Sequence, residues 1–477
     1  MKKSKQLLIS LGLITLSVVL WLLLMLSGVL DGLEQETLRW RYLARGEIES
    51  SAPVVYVDLD AETVSYMGDR PWDRREFGVL LHALLGVGGA KTASVDIILS
   101  KYGGGALLDW ERARKGDSFL GKVVAAYEDR IVLAAAYTGV VSSITQEAAL
   151  LPMIRDGDYD PEMSPFPEAP TYPIIDFNVG RLALANVDET LSGGVVPYYV
   201  PSFVGLNSAR YSFHLVDGAM RDKMDFMNEP YSEVVGDEVV LTDLDGFSTY
   251  SVPLQSEMTI FTLGLETFLA AHELDEDAVE ISPDTLTIRR AGEVFRQIPL
   301  VRQQSIEVNW FEGWEISGDE DHVSMQAVLR KAHALSEAAS AQDTVKVAEL
   351  EKWFERFRDK VIFVGPVDPQ LKDISPTPFN REPVPKVGLH ANLYRTIADE
   401  AYITRADSGL CIAIVCLLPL LVCMLALNRG SLRLLSLLLL LAYGGCVFFA
   451  FAQFNWILPM IVPIGSSLTA VVSVVLL

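Results

Sequence analysis

Cysteine is almost absent from this sequence of 477 residues. Its four cysteines lie in long apolar segments near the carboxyl end, at Cys411, Cys416, Cys423 and Cys446. None of their spacings is that of a zinc site, which excludes zinc-finger and zinc-ribbon domains. A central region without cysteine suits an oxidising compartment, where stray thiols form disulfides, although a cysteine-poor cytosolic domain has the same composition.

Motifs of catalysis and of nucleotide binding are also missing. The "GGG" at 103–105 lacks the Lys-Ser/Thr pair of a phosphate-binding loop, and no Gly-x-Ser-x-Gly nucleophile elbow occurs. The histidines outside the last 140 residues are scattered, without metal-ligand spacing: His82, His214, His272, His322 and His333. We therefore expect no catalytic residue, no metal and no cofactor in this chain.

Acidic residues are absent from both ends of the chain. Residues 1–30 and 408–477 contain no Asp or Glu, so residues 31–407 hold all 62 acidic side chains and all but five of the 39 basic ones. The resulting charge of this central region, −28, repels phosphate backbones and anionic lipid surfaces. Nucleic-acid binding is therefore not expected.

Four apolar segments have the length, about 20 residues, that a helix needs to cross the hydrocarbon of a bilayer. They cover residues 7–30, 409–427, 434–452 and 456–477. The first is longer than the apolar core of a signal peptide and precedes no clear cleavage site, so we interpret it as an uncleaved anchor. The sequence thus predicts four transmembrane α-helices.

Basic residues set the expected orientation of these helices. "MKKSK" precedes the first segment and "NRGSLR" joins the second to the third, so the positive-inside rule places both in the cytoplasm. The predicted domains are a cytoplasmic amino terminus with the first span (1–30), an extracytoplasmic domain (31–408) and three further spans (409–477). We expect a multi-pass protein of a cell inner membrane, with its large domain in the periplasm or outside the cell.

The first part of the large domain alternates strand patterns with helical patterns. Strand-like runs cover residues 53–60, 93–100 and 130–137, and helical patterns cover residues 74–86 and 107–128. This alternation predicts right-handed crossovers and a parallel sheet, which a later apolar run at 360–366 fits as well. We expect an α/β fold, mostly a parallel sheet with helices on both faces.

The middle of the domain is less regular. Residues 151–174 are rich in Pro and in acidic residues, which is typical of a loop or an insertion. Residues 281–300 predict a β-hairpin that turns at Ala291-Gly292, and residues 324–357 predict helix with a break near Gln342-Asp343. One domain of this length is large, so a second lobe is an alternative.

Several stretches, in this order, resemble the CHASE-type extracytoplasmic sensor domain of the second class (cyclase/histidine-kinase-associated sensory extracellular). The acidic first strand, the Trp-Pro-like turn and the Asp-Ile strand of that family resemble "VVYVDLD", "RPWDRR" and "SVDIILS". Its closing strand, Asp-x-x-x-Thr-Pro loop and His-Ala-Asn helix resemble residues 359–397. The Trp-Pro order is altered here, so no ligand preference carries over.

The resemblance implies a receptor that passes an extracytoplasmic signal through its membrane helices to a cytoplasmic effector. That effector would be an adenylate or guanylate cyclase or a kinase, and it would follow Leu477 or belong to a separate partner. The expected partners are a small-molecule or protein signal, the membrane and a second copy of the chain. Two alternatives remain open, a membrane-tethered extracytoplasmic hydrolase and a scaffold that recruits partners.

Ligands of open parallel sheets bind outside the carboxyl ends of the strands. The candidate ligand-binding residues at that edge are Asp58, Asp60, Trp72, Asp73, Arg74 and Asp96. Asp60 with Arg74 suits a zwitterionic or hydroxylated ligand, and Trp72 offers a flat apolar surface. The alternative is that these aspartates only satisfy backbone groups and cap turns.

Residues 387–403, "VGLHANLYRTIADEAYI", have an amphipathic helical pattern and lead directly into the second apolar segment. This helix either closes the core of the domain or, in addition, carries shape changes from the core to the membrane. The candidate transmission residues are Asp373, Thr377, His390, Leu393 and Ile397. Histidine is included because its charge changes near neutral pH, although a buried helical histidine is more often structural.

Overall fold

A computed structural model gives the fold of most of the chain. It describes residues 2–68, 72–99, 110–137, 170–171, 180–186, 198–199, 202–208, 231–235, 238–242, 249–253, 255–301, 305–314, 321–371, 373–380, 382–427 and 431–475. Most of the proline-rich stretch at 151–174 lies outside these residues.

The helices of the described residues are numbered in chain order. They are α1 Lys2–Leu26, α2 Asp31–Arg45, α3 Ala61–Met67, α4 Arg74–His82, α5 Trp110–Ala126, α6 Leu263–Ala271, α7 Met325–Ser340, α8 Thr344–Phe354, α9 Val387–Ala398, α10 Ser408–Ala426, α11 Ser431–Phe454 and α12 Ile461–Val475.

The strands are numbered in the same way. They are β1 Val54–Leu59, β2 Thr92–Val95, β3 Ile131–Tyr137, β4 Pro170–Thr171, β5 Arg181–Leu184, β6 Tyr198–Tyr199, β7 Ser202–Ser208, β8 Tyr231–Val235, β9 Glu238–Thr242, β10 Thr249–Pro253, β11 Gln255–Phe261, β12 Val279–Ile281, β13 Thr285–Arg290, β14 Glu293–Pro299, β15 Ile306–Glu307, β16 His322–Ser324, β17 Val361–Pro366, β18 Ile374–Ser375, β19 Val384–Pro385, β20 Thr404–Arg405 and β21 Trp456–Ile457.

Six parallel strands form the central sheet in the order β16–β1–β17–β2–β3–β5, and β4 pairs antiparallel with the end of β3. The four predicted strand runs supply β1, β2, β3 and β17, which confirms the predicted parallel sheet. β17 lies between β1 and β2, with Gly365 opposite Asp58 and Val364 opposite Val95. A strand from late in the chain therefore occupies the centre of the sheet.

Helices pack on both faces of this sheet. Val55 and Val57 of β1 are buried in a core that α4, α5 and α7 share. Tyr56, between them, points to the other face and into a core that contains Phe268 of α6 and Leu393 of α9. The strand is thus buried on both sides, as is usual for the parallel sheet of an α/β protein.

Two local predictions in the less regular region are confirmed. β13 and β14 pair as an antiparallel hairpin that turns at Ala291 and Gly292, where φ is 52° and 86°. Positive φ at both central residues is the geometry of a tight hairpin turn. The helical stretch at 324–357 is broken at Gln342, which also has a positive φ of 59°, and Asp343 caps the second helix through the backbone N–H of Lys346.

Three helices are long and apolar enough to cross a membrane: Leu8–Leu26 within α1, Ser408–Ala426 and Leu434–Phe454 within α11. The predicted fourth span at 456–477 is wrong for the described residues. Trp456–Ile457 pairs with β20, so the next helix begins only at Ile461 and has 15 residues. Its length of about 22 Å is short of the roughly 30 Å of bilayer hydrocarbon.

Candidate functional site

The helix α9 is enclosed by the domain along almost its whole length, since residues 387–397 are all buried. Two glycines let it approach its neighbours closely. A Cβ atom at Gly365 would lie 2.6 Å from the Cβ of Val387, and one at Gly264 would lie 2.8 Å from the Cβ of Leu393. β17 and α6 therefore hold α9 at distances that leave no room for a side chain.

Two of the candidate transmission residues belong to this packing. Leu393 and Ile397 are fully buried and lie in the same core cluster as Phe268 of α6 and Phe363 of β17. These buried positions are those expected of a helix that closes the core of the domain. A role in transmission stays a prediction.

Asp96 lies just after β2, at the carboxyl edge of the sheet, and its side chain points at α9. Its Oδ2 is 3.7 Å from Nε2 of His390, and both side chains are almost completely buried. Burial raises the pKa of Asp96 well above its usual range, which nearby Asp373 reinforces and Lys386 opposes. Burial also lowers the pKa of His390 to about 3, helped by Lys386. Both shifts favour an uncharged pair between sheet and helix.

Asp58 makes a second carboxylate–histidine contact at the same edge. Its Oδ2 lies 2.9 Å from Nδ1 of His322 in β16. The imidazole stacks on the ring of Tyr56 with centroids 4.6 Å apart, and Trp314 packs edge-on against it at 4.7 Å. Trp314 also covers α9, because a Cβ at Gly388 would lie 2.7 Å from its indole ring. An aromatic cluster thus joins Asp58 to the start of α9.

The other candidate aspartates cap helices. Oδ1 of Asp60 accepts hydrogen bonds from the backbone N–H of Thr63 at 2.8 Å and from its hydroxyl at 2.7 Å. Oδ1 of Asp73 accepts one from the backbone N–H of Arg75 at 2.9 Å. These contacts are those of the capping alternative.

Trp72 and Arg74 are buried beside these caps. The indole N–H of Trp72 donates to the carbonyl of Gly68 at 2.9 Å, and its ring joins the core of the α4 face. Burial lowers the pKa of Arg74, and the negative charge of Asp117 opposes that shift. The charged neighbour of Arg74 is thus Asp117. Asp60, which the sequence analysis grouped with Arg74, accepts its hydrogen bond from Thr63. Ligand binding by these residues stays a prediction.

The loop before α9 is tied to the aromatic cluster. The backbone carbonyl of Asp373 accepts a hydrogen bond from the N–H of Lys386 at 3.0 Å. The hydroxyl of Thr377 donates to Oδ1 of Asn380 at 3.0 Å. Asn380 in turn accepts from the backbone N–H of Trp314 at 2.9 Å and donates to its carbonyl at 3.1 Å. Thr377 therefore helps to position Trp314 over α9.

The middle and the end of α9 are hydrogen-bonded to the segment 305–314. The backbone N–H of Asn309 donates to the hydroxyl of Thr396 at 3.0 Å. The backbone N–H of Phe311 donates to Oδ1 of Asn392 at 3.3 Å. Asn309 is therefore in direct contact with α9.

A helix that the sequence analysis missed, α2, connects Asn309 to the apolar helices. Nη1 of Arg45 donates to Oδ1 of Asn309 and to Oδ1 of Asn455, both at 3.0 Å, and Nη2 donates to the carbonyl of Trp310. The guanidinium also lies 5.2 Å from the ring of Phe451 in α11. One side chain thus contacts both the central domain and the turn between α11 and α12.

Two further residues of α2 hold the start of α12. The carboxylate of Glu34 accepts the backbone N–H groups of Met460 at 2.8 Å and Ile461 at 2.9 Å. The buried guanidinium of Arg41 donates to Glu34 at 2.9 Å and to the carbonyl of Leu458 at 3.0 Å. The spacing of Glu34, Arg41 and Arg45 by seven and four residues places them on one side of a helix, and it was the available sequence signal for α2.

A cavity of about 360 Å³ lies at the opposite edge of the sheet, beside the starts of β3 and β5. Arg181, which lines it, bonds Glu266 of α6 at 2.7 Å and Asp275 at 2.8 Å. Burial raises the pKa of Glu266, an effect that Arg181 opposes. None of the candidate ligand-binding residues lines this cavity, and no sequence pattern indicated it.

Comparison with known families supports the resemblance seen in the sequence. The family model of the CHASE2 domain matches residues 15–426, from within α1 to the end of α10. No curated protein and no solved structure matches the chain. The family match spans most of the sequence and confirms the resemblance. The chain therefore belongs to the CHASE2 domain family, a family of extracytoplasmic sensory domains.

Proposed function

We propose that this protein is a receptor of a bacterial inner membrane that passes a periplasmic signal to a cytoplasmic cyclase or kinase. The signal is a small molecule or a protein, the receptor acts as a homodimer, and the effector acts in cis or in trans. The observation that carries this proposal is Arg45, whose guanidinium bonds Asn309 of the domain and Asn455 beside the apolar helices. Such a side chain makes each region sensitive to the position of the other.

The transmission proceeds through contacts that are continuous from the sheet to the apolar helices. A signal that binds one conformation of the domain more tightly shifts the position of α9, which packs against Gly365 and Gly264. Thr396 carries that displacement to Asn309, and Arg45 carries it to the turn at Asn455. The signal cannot change the free-energy difference between the two conformations by more than the difference in its binding free energies for them.

The experiment uses the full chain in lipid nanodiscs and a library of amino acids and polyols. Compounds that raise the thermal unfolding midpoint are kept, and hydrogen exchange is then measured at the amides of Thr404 and Ala406. These amides donate to the carbonyls of Asn455 and Ile457, both at 3.0 Å, and so report on the turn before α12. A compound that binds should change their exchange in the wild-type chain and not in Arg45→Ala.

Arg289→Ala is the matched control, because Arg289 is a half-exposed arginine on β13 that pairs with Glu280. This variant should respond to the compound as the wild-type chain does. Binding that leaves Thr404 and Ala406 unchanged in the wild-type chain would contradict the proposal.

A further inference from the structure

The helix α2 has an exposed apolar side. Leu33, Trp40 and Leu43 are 56%, 53% and 52% exposed. Their spacings of seven and three residues place them on one side of the helix, opposite the buried Leu38 and Tyr42. Large apolar side chains that share one helix face and that the described residues of the chain leave uncovered mark a contact surface.

The position of α2 places this surface beside the apolar helices. Glu34, near the start of α2, bonds Met460, and Arg45, at its end, bonds Asn455. These two residues of α2 are about 16 Å apart along the axis, yet both meet the short turn between α11 and α12. The helix therefore lies beside the segment that joins α11 to α12, and it also touches α11 itself, since the rings of Tyr42 and Phe451 are 4.9 Å apart.

The apolar surface of α2 is continuous with that of α1. Leu23, Leu26 and Val29 are 61%, 75% and 71% exposed and lead through the turn at Gly28 to Leu33. Lipid covers the exposed apolar side chains of a membrane-crossing helix. The exposed side chains of α2 adjoin this apolar surface of α1.

The charge and composition of α2 suit a lipid boundary. The helix has three acidic and three basic residues and so a net charge of zero, in contrast to the strongly acidic domain: Asp31, Glu34, Glu36, Arg39, Arg41 and Arg45. Headgroups of either charge therefore do not repel it. Tryptophan is enriched at the membrane–water boundary, where its ring is buried and its N–H stays near water.

We infer that α2 is an interfacial helix, with Leu33, Trp40 and Leu43 inserted between the headgroups and the acyl chains of the outer leaflet. The partner of this surface is the lipid bilayer. Since Arg45 on the same helix bonds Asn309, the lipid surface and the domain are attached to opposite sides of one rigid element. The inference does not depend on the proposed receptor function.

The test places a nitroxide spin label at Trp40→Cys in the full chain, after replacement of the four native cysteines, in nanodiscs of zwitterionic phosphatidylcholine. Collision of the label with oxygen, which dissolves in lipid, is compared with collision with a water-soluble nickel chelate. Val345→Cys on α8 is the matched control, since Val345 is 79% exposed. The ratio of oxygen to nickel collisions should be several-fold higher at residue 40 than at residue 345.

A second label at Leu43→Cys checks the same surface if Trp40→Cys does not fold. A nickel accessibility at these positions equal to that at residue 345 would overturn the inference, because the stripe would then face water. Spin–spin broadening that disappears on dilution with unlabelled chain would also overturn it, because a second copy would cover the stripe. In nanodiscs of anionic lipid, an unchanged ratio of oxygen to nickel collisions would support the interfacial position of α2, and a large fall in that ratio would contradict it.

Discussion

Val387 of α9 rests directly on Gly365 of β17: a Cβ atom at residue 365 would lie 2.6 Å from the Cβ of Val387. β17 is in the middle of the sheet, with Asp58 on the strand to one side and Asp96 after the strand on the other. The glycine therefore sets how closely α9 approaches the edge of the sheet that carries Asp58 and Asp96.

The first prediction concerns this contact. Gly365→Ala should displace α9 and lower the free energy of unfolding by about 1–3 kcal/mol, the usual cost of overpacking a tight core. The free energy of unfolding is measured on the full chain in detergent by urea titration, with tryptophan fluorescence as the signal. Gly32→Ala is the control, because nothing lies within 4 Å of a Cβ at that position on α2. Equal unfolding midpoints for the two variants would show that the close approach is not required.

The second prediction concerns pH. The pKa of His390 is about 3 in the folded chain, below its value of about 6.5 in the unfolded chain. The unfolded state therefore binds the extra proton, and the folded state loses stability as the pH falls from about 6.5 to 3. Between pH 7 and about pH 5 the wild-type chain should lose about 2 kcal/mol more unfolding free energy than His390→Gln.

The contribution of Asp96 to stability changes with pH in the opposite direction, because its pKa is raised in the folded chain. Its contribution is present at low pH and is lost as the pH rises, and it is common to the wild-type chain and His390→Gln. Leu393→Ala is the control for a loss of packing without a change in titration: it should lower the unfolding free energy by about 2–5 kcal/mol at both pH values. Parallel pH profiles for the wild-type chain and His390→Gln would refute the buried neutral imidazole.

The third prediction concerns the capping of α12 by Glu34. Glu34→Ala removes the acceptor of the Met460 and Ile461 amides and the ionic partner of Arg41. Hydrogen exchange at those two amides should be faster by roughly 10- to 100-fold, the effect of losing about 1–3 kcal/mol of hydrogen-bond free energy. Glu36→Ala removes an exposed carboxylate from the same helix and should leave this exchange unchanged. The capping role is wrong if the two variants exchange alike.

The sheet could be predicted because its signals are local. β1, β3 and β17 are central parallel strands, and burial on both faces gives them continuous apolar runs. The hairpin turn at Ala291 and Gly292 and the break at Gln342 depend on residues that are adjacent in the chain. These elements therefore follow from sequence patterns alone.

Contacts between distant residues could not be predicted in this way. Asp58 meets His322, which is 264 residues away, and Arg45 meets Asn455, which is 410 residues away. The charged residues of α2 look like an ordinary solvated surface until those partners are known. The predicted fourth span failed for a related reason, since hydropathy counts apolar residues but does not show that Trp456 pairs with Thr404 outside the following helix.

The central claim is that Arg45 couples the domain to the turn between α11 and α12. A double-mutant cycle tests it, with Asn309→Ala on the domain side and Asn455→Gly on the turn side. Glycine is chosen because Asn455 has a positive φ of 50°, which alanine would strain. The measured quantity is the free energy of opening from hydrogen exchange at the amide of Thr404, which donates to the carbonyl of residue 455 at 3.0 Å.

The cycle is measured in the wild-type chain and again in Arg45→Ala. The account predicts that the two substitutions are non-additive by at least about 0.5 kcal/mol when Arg45 is present and additive within about 0.3 kcal/mol when it is absent. Additive effects in the presence of Arg45 would contradict the account, because the domain and the apolar helices would then respond independently.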